Sequence, residues 1–164
     1  MEPIVYFKLQ AKNLFRDYKT KTPVFDEVIS DYLYEYKPKY FDIDGLVCDF
    51  DINEKKFTLM KAQHIIAYLV GFKKWTDLIK ASVVELELAK LLFDNQHKVS
   101  LDDWYIFMDS TEELNEKTFD DAFWLEIFKE VFVNSDEHHN DSRGYLLNQN
   151  MDNFPKMERL QHIK

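Results

Sequence analysis

The stretch Lys56–Ser82, KFTLMKAQHIIAYLVGFKKWTDLIKAS, decides the fold. Thr58 can cap a helix whose apolar positions Leu59, Ala62, Ile66 and Leu69 recur at helical spacing, with Ile65 and Val70 widening the stripe. Gly71 then stops the helix, because glycine takes the left-handed conformation past a helix end without strain. Phe72 is expected to fold back on Ile66 or Ala67. Trp75 and Leu78 follow in a short amphipathic turn, where Trp75 reads as a core anchor. Ser82 with Glu85 forms a capping box that opens the next helix. Gln63 lies near the stripe, so its amide is expected to tie this central helix to a neighbouring loop backbone.

Helical periodicity continues on both sides. Phe7, Ala11, Leu14, Phe15 and Tyr18 predict a first helix over Tyr6 to Tyr18. Pro23 stands near a second start, and Phe25, Val28, Ile29, Tyr32 and Leu33 predict a helix over Val24 to Tyr36. The stretch after Pro38 is read as a short helix about Ile43 to Phe50, with a small hairpin near residues 40–57 as the alternative. Val84, Leu88, Leu91 and Leu92 face inward on a helix from Ser82 to Asn95. Ser100 with Asp103, and Thr118 with Asp121, are cap-like pairs before two further helices, and the last of these is apolar round most of its circumference. From Asn134 to Asn153 periodicity vanishes, and Pro155 opens a possible terminal helix.

The fold class expected is therefore all-α. A single helical domain spans 1–133, with an early bundle over 1–93 and an acidic helical half over 94–133, and 134–164 forms a loop or mobile arm. The 164 residues suffice for one good core, and seven Gly and Pro together leave few breakers. One cysteine, Cys48, excludes an internal disulfide and fits a reducing compartment; among Leu46, Val47 and Phe50 it is expected to be a small buried hydrophobe. No apolar run approaches the roughly 20 residues that span a bilayer, and the start lacks a secretory pattern, so a cytoplasmic protein without membrane contact is expected.

KLQAKNLFRDY together with AQHIIAYLVGFKKWTDLIKAS resembles a small helical module of bacterial proteins, in which an early AK-L helix is paired with a later A-x4-A-x3-GF-x2-W-x2-L segment. The matching residues are Ala11, Lys12 and Leu14, then Ala62, Ala67, Gly71, Phe72, Trp75 and Leu78. The segment Thr22 to Asn53 looks like an insertion. Some members carry a glyoxalase-related label, but that chemistry needs His and Glu ligands on strands and no such set occurs here. The resemblance implies a fold more than an activity.

Charge gives the functional lead. Residues 1–93 hold 14 acids and 14 bases, residues 94–141 hold 14 acids against Lys98, Lys117 and Lys129, and the tail holds four bases and two acids. A segment of net −11 repels phosphate backbones and favours basic partners. The function expected is a non-enzymatic acidic protein-interaction module whose partner is a protein with a basic surface, contacted through Asp102, Asp103, Glu112 and Glu113.

Two other classes are weighed against it. Ala67 and Gly71 reproduce the spacing of a helix-turn-helix, in which Lys73, Lys74 and Lys80 could meet phosphates, but Asp77 stands where the second helix needs an apolar residue. A metal-dependent enzyme could use His138 and His139, beside Asp136, Glu137 and Asp141, although no HExxH spacing occurs. Asp49, Asp51 and Asn53 imitate a calcium loop, yet its glycine and final glutamate positions hold Glu54 and Met60. His64 is expected to be exposed or half-buried, outside the apolar stripe. No phosphate-cradling glycine loop, nucleophile elbow or dinucleotide fingerprint is present, so no catalytic residue and no cofactor is expected.

Overall fold

Pro3 has no amide hydrogen to lose in a first helical turn, and the computed structural model starts α1 there, over Pro3–Tyr18, earlier than the periodicity from Tyr6 predicts. The structure describes residues 1–142 and 144–150. After α1 come β1 (Thr22–Asp26), β2 (Asp31–Glu35), α2 (Ile43–Asp49), α3 (Leu59–Leu69), α4 (Trp75–Lys80) and α5 (Val83–Asp94). Then follow α6 (Leu101–Asn115), α7 (Asp121–Phe128) and α8 (Leu147–Asn150), and α7 runs on into a π-helical turn over Lys129–Val133. Among the described residues no helix is long and apolar enough to cross a membrane. The possible helix from Pro155 lies outside the described residues.

The chain is mostly helical, but a two-stranded antiparallel sheet corrects the all-α expectation. The predicted helix over Val24 to Tyr36 is this hairpin, with Val24 opposite Leu33 and Phe25 opposite Tyr32. Its loop explains the misreading. Asp26 Oδ1 accepts the N–H of Val28 at 2.8 Å and of Ile29 at 3.2 Å, and Ser30 takes a positive φ of 52°. Apolar residues on two strands and their tip thus imitate helical spacing. The hairpin considered near residues 40–57 is absent, because Asp42 caps α2 through Gly45 N–H at 3.1 Å. Helix α2 buries Ile43 and Leu46, and Cys48 falls on its opposite face and is exposed, not buried as expected.

Local capping held elsewhere. Thr58 accepts from Lys61 N–H, Ser82 and Glu85 complete their box, and Ser100 accepts from Asp103 N–H. Helix α7 is the exception: Asp120 caps it through Phe123 N–H at 2.8 Å, in place of the expected Thr118 pair. At the end of α3, Gly71 has φ of 91° and donates to Tyr68 O at 3.1 Å, while Phe72 donates to Ala67 O at 3.0 Å. These two bonds are a Schellman closure.

Two apolar cores result among the described residues. In the first, α1 packs chiefly on α3, and Ala11, Ala62 and Ala67 are small and buried, which lets the two helices approach closely. Phe7, Phe41 and Phe93 meet edge to face in this core, with Phe93 centroids 6.1 and 6.2 Å from the other two rings. Trp75 and Leu78 of α4 close it. The second core is built round Trp104, with Trp124 at 5.8 Å, Phe128 at 5.0 Å and Phe132 at 5.9 Å.

Between the hairpin and α2 the chain is fixed by one buried carboxylate. Asp17 accepts the N–H groups of Lys39 at 2.9 Å, Tyr40 at 2.7 Å and Phe41 at 2.8 Å. Hydrogen bonds to a charged acceptor are the stronger kind, and their loss leaves buried donors unpaired. Asp17→Ala should therefore destabilise by about 3 kcal/mol or more, read as a shift in the urea midpoint. Gly71→Ala should cost about 1–2 kcal/mol from its left-handed φ. A Cβ at that position also meets the Tyr105 hydroxyl, so Tyr105→Ala in a double-mutant cycle should recover the steric part and leave the backbone part.

Candidate functional site

Residues 140–147, from the stretch without periodicity, are docked on the body over their described part. Asn140 donates from its amide to Gln96 O at 2.7 Å, and Asn140 N–H donates to His97 O at 2.9 Å. Gln96 is buried, and its Oε1 accepts Tyr145 N–H at 3.0 Å. Gly144 passes so close to Gln96 that a Cβ there would strike it. Asp42 N–H then donates to Tyr145 O at 2.8 Å, and Leu147 N–H to Tyr40 O at 2.9 Å, giving a short antiparallel bridge of Phe41 with Leu146.

This docking creates an open cleft of about 630 Å³ between one side of α2, the C-terminal ends of α3 and α5, the start of α6 and residues 140–147. Leu69, Leu92 and Val99 contribute apolar lining. Phe50 stands 5.9 Å from both the Tyr68 and the Tyr145 ring, so three aromatic rings gather at one side. Asp42, Asp49 and Asp102 add carboxylates, and no described lining residue is cationic. Tyr145 donates its hydroxyl to Asp49 Oδ2 at 2.6 Å, and burial followed by that hydrogen bond raises its pKa. Burial and then the nearby Asp102 charge raise that of Tyr105 beside the cleft.

Asp102 belongs both to the cleft and to the outer face of α6. Along that face Asp102, Ile106, Asp109 and Glu113 follow at spacings of four, three and four, and all are exposed. Ile106 is 63% exposed. The fifteen residues of α6 include five acids and no base. The three lysines of the 94–141 segment are engaged elsewhere. Lys98 Nζ donates to the carbonyls of Phe132 and Ser135, at 3.1 and 2.9 Å, closing the π-helical turn. Lys129 pairs with Glu87 and Glu126, each at 3.1 Å, and Lys117 stands over the Phe119 ring at 5.4 Å.

The four acids singled out from sequence therefore divide. Asp102 and Glu113 carry no side-chain hydrogen bond among the described residues. Asp103 accepts the Ser100 hydroxyl at 2.7 Å, and Glu112 accepts Phe119 N–H at 2.9 Å, so both serve local structure. Gln63 is half-buried and makes no side-chain hydrogen bond among the described residues; its neighbour His64 makes the expected tie, accepting Trp75 N–H at Nδ1 over 3.2 Å. Lys73, Lys74 and Lys80 are exposed around α4, whose six residues span about 9 Å. Lys73 also borders a smaller pocket of about 270 Å³ beside His64 and Phe57. His138 and His139 are exposed, His138 lies 4.7 Å from the Phe132 ring, and no group of three His, Cys, Asp or Glu among the described residues could hold a metal.

Sequence reading missed Asp42, Phe50, Tyr68, Gln96 and Tyr145 as neighbours, and noticed Asp49 only as a calcium-loop lookalike. No protein-family model matches this chain, and no curated protein or solved structure does either.

Three half-buried phenols give a pH test. Burial, then bonds to Asp94, Glu54 and Asp49, raise the pKa values of Tyr6, Tyr36 and Tyr145 above the ordinary 10.0. A raised folded value stabilises fully below the unfolded value and is lost as pH climbs above it. Urea midpoints should thus stay level below pH 10.0 on account of these groups and fall beyond it, and Tyr145→Phe should make that alkaline fall smaller.

Proposed function

We propose that this chain is a non-enzymatic, acidic protein-interaction module that captures a basic segment of another protein. One observation carries the reading: the cleft and the outer face of α6 join at Asp102, and the described residues of both offer carboxylates and no cation. A lysine or arginine entering the cleft would meet the rings of Phe50, Tyr68 and Tyr145 as well as Asp49. Ile106 and Tyr105, both exposed, add apolar area outside. Uncompensated surface charge of this kind speeds encounter with an oppositely charged partner, and salt screens it over a Debye length of about 8 Å.

A lysine- and arginine-rich peptide labelled for fluorescence anisotropy tests this. Wild-type protein should bind it, with affinity falling as sodium chloride rises. Asp102→Lys, Asp109→Lys and Glu113→Lys together should weaken binding by about tenfold or more and leave the helical circular dichroism signal in place: Asp109 and Glu113 are exposed and away from caps, and removing Asp102 from the first turn of α6 costs that helix only about 1 kcal/mol. Binding of duplex DNA that disappears when Lys73, Lys74 and Lys80 become alanine would replace this reading with the nucleic-acid one.

A further inference from the structure

The β1–β2 hairpin is chemically unfinished. Phe25 is 52%, Val28 93%, Ile29 56% and Tyr32 58% exposed, and none of these side chains packs on either core. A lone two-stranded hairpin is marginal in water, and contiguous exposed apolar surface marks a contact site. Residue pairing sorts its side chains onto two faces. One face carries Pro23, Tyr34, Phe25 and Tyr32, with the Phe25 and Tyr32 rings 5.3 Å apart. The other carries Val24 and Leu33 bracketed by Asp26, Asp31 and Glu35.

The two edges also differ. Pro23 removes an N–H from β1, which blunts that edge. β2, DYLYE, has neither proline nor lysine, the usual guards of an open edge. Residues 22–35 hold Asp26, Glu27, Asp31 and Glu35 and no base, so a second copy of the hairpin would bring four more carboxylates to the same place.

We propose that the β2 edge is completed by an extended segment of a partner protein in which apolar and cationic residues alternate. Added as a third strand, such a segment turns its apolar side chains to the Phe25–Tyr32 face and its cations to the Asp26, Asp31 and Glu35 face, because successive side chains alternate across a sheet. The backbone of β2 supplies the hydrogen bonds, with Tyr32 N–H exchanging Asp31 Oδ1, which accepts it at 2.7 Å, for a carbonyl of the added strand, and the two faces supply the selection. This surface stands apart from the α6 face, and neither reading depends on the other.

An alternating Val–Lys peptide long enough to span β2 is the probe, with a Val–Glu peptide and a block peptide of the Val–Lys composition as controls. Anisotropy should show Val–Lys binding preferred over both by about tenfold, and hydrogen exchange should slow at the alternate amides of residues 31–35 that face away from β1. Phe25→Ser with Tyr32→Ser should abolish the binding. Asp31→Lys with Glu35→Lys should transfer it to the Val–Glu peptide, a reversal that mere unfolding of the hairpin cannot produce. Equal binding of the block peptide, failure of that transfer, or loss of binding on reversing Asp102, Asp109 and Glu113 instead would overturn the proposal. So would sedimentation showing a dimer that Phe25→Ser and Tyr32→Ser dissolve.

Discussion

Helix α5 has apolar side chains on two sides, and both halves of the molecule lean on it. Leu86, Ala89 and Phe93 enter the core made with α1, α3 and α4, while Leu88, Leu91 and Leu92 enter the core made with α6, α7 and the π-helical turn. Phe93 and Leu92 are adjacent in sequence and serve different cores. A helix placed this way cannot rotate to improve one packing without spoiling the other. The π-helical turn over Lys129–Val133 belongs to the same constraint, since it brings Phe132 against Trp104 where α7 ends.

The end of α5 carries that constraint to the cleft. Gln96 comes one residue past the C-cap Asn95, and its side chain and carbonyl hold Tyr145 and Asn140. The cleft wall formed by residues 140–147 is thus referenced to the element both cores share. A carboxylate such as Asp49, which accepts from the Tyr145 hydroxyl, is held from two directions: by its own short helix and by the docked segment.

What could be read in the sequence was what acts over three or four residues. The caps at Thr58, Ser82 and Ser100 follow from side chains meeting their own backbone, and Gly71 follows from a φ that few other residues accept. The hairpin was misread because two periods coincide in one stretch; Asp26 and Ser30, which decide between them, are single residues inside an apolar pattern. The single face assigned to α5 missed Leu86, Ala89 and Phe93, since a helix serving two cores blurs any one stripe. The cleft was not legible at all, because Asp49 and Tyr145 stand 96 residues apart and nothing local to either announces the other.

The Asp17 carboxylate has one more consequence. Thr20 donates its hydroxyl and N–H to Asp17 O as the chain leaves α1, and Thr20 Oγ1 accepts Lys37 N–H as it returns, just before Asp17 takes the amides of Lys39, Tyr40 and Phe41. Departure and return are thus moored at one point. The hairpin is an excursion closed at its base, and the entropy of bringing its ends together is met by contacts that do not involve its tip. The contacts that hold the helices beneath are thus separate from the side chains at the hairpin's tip.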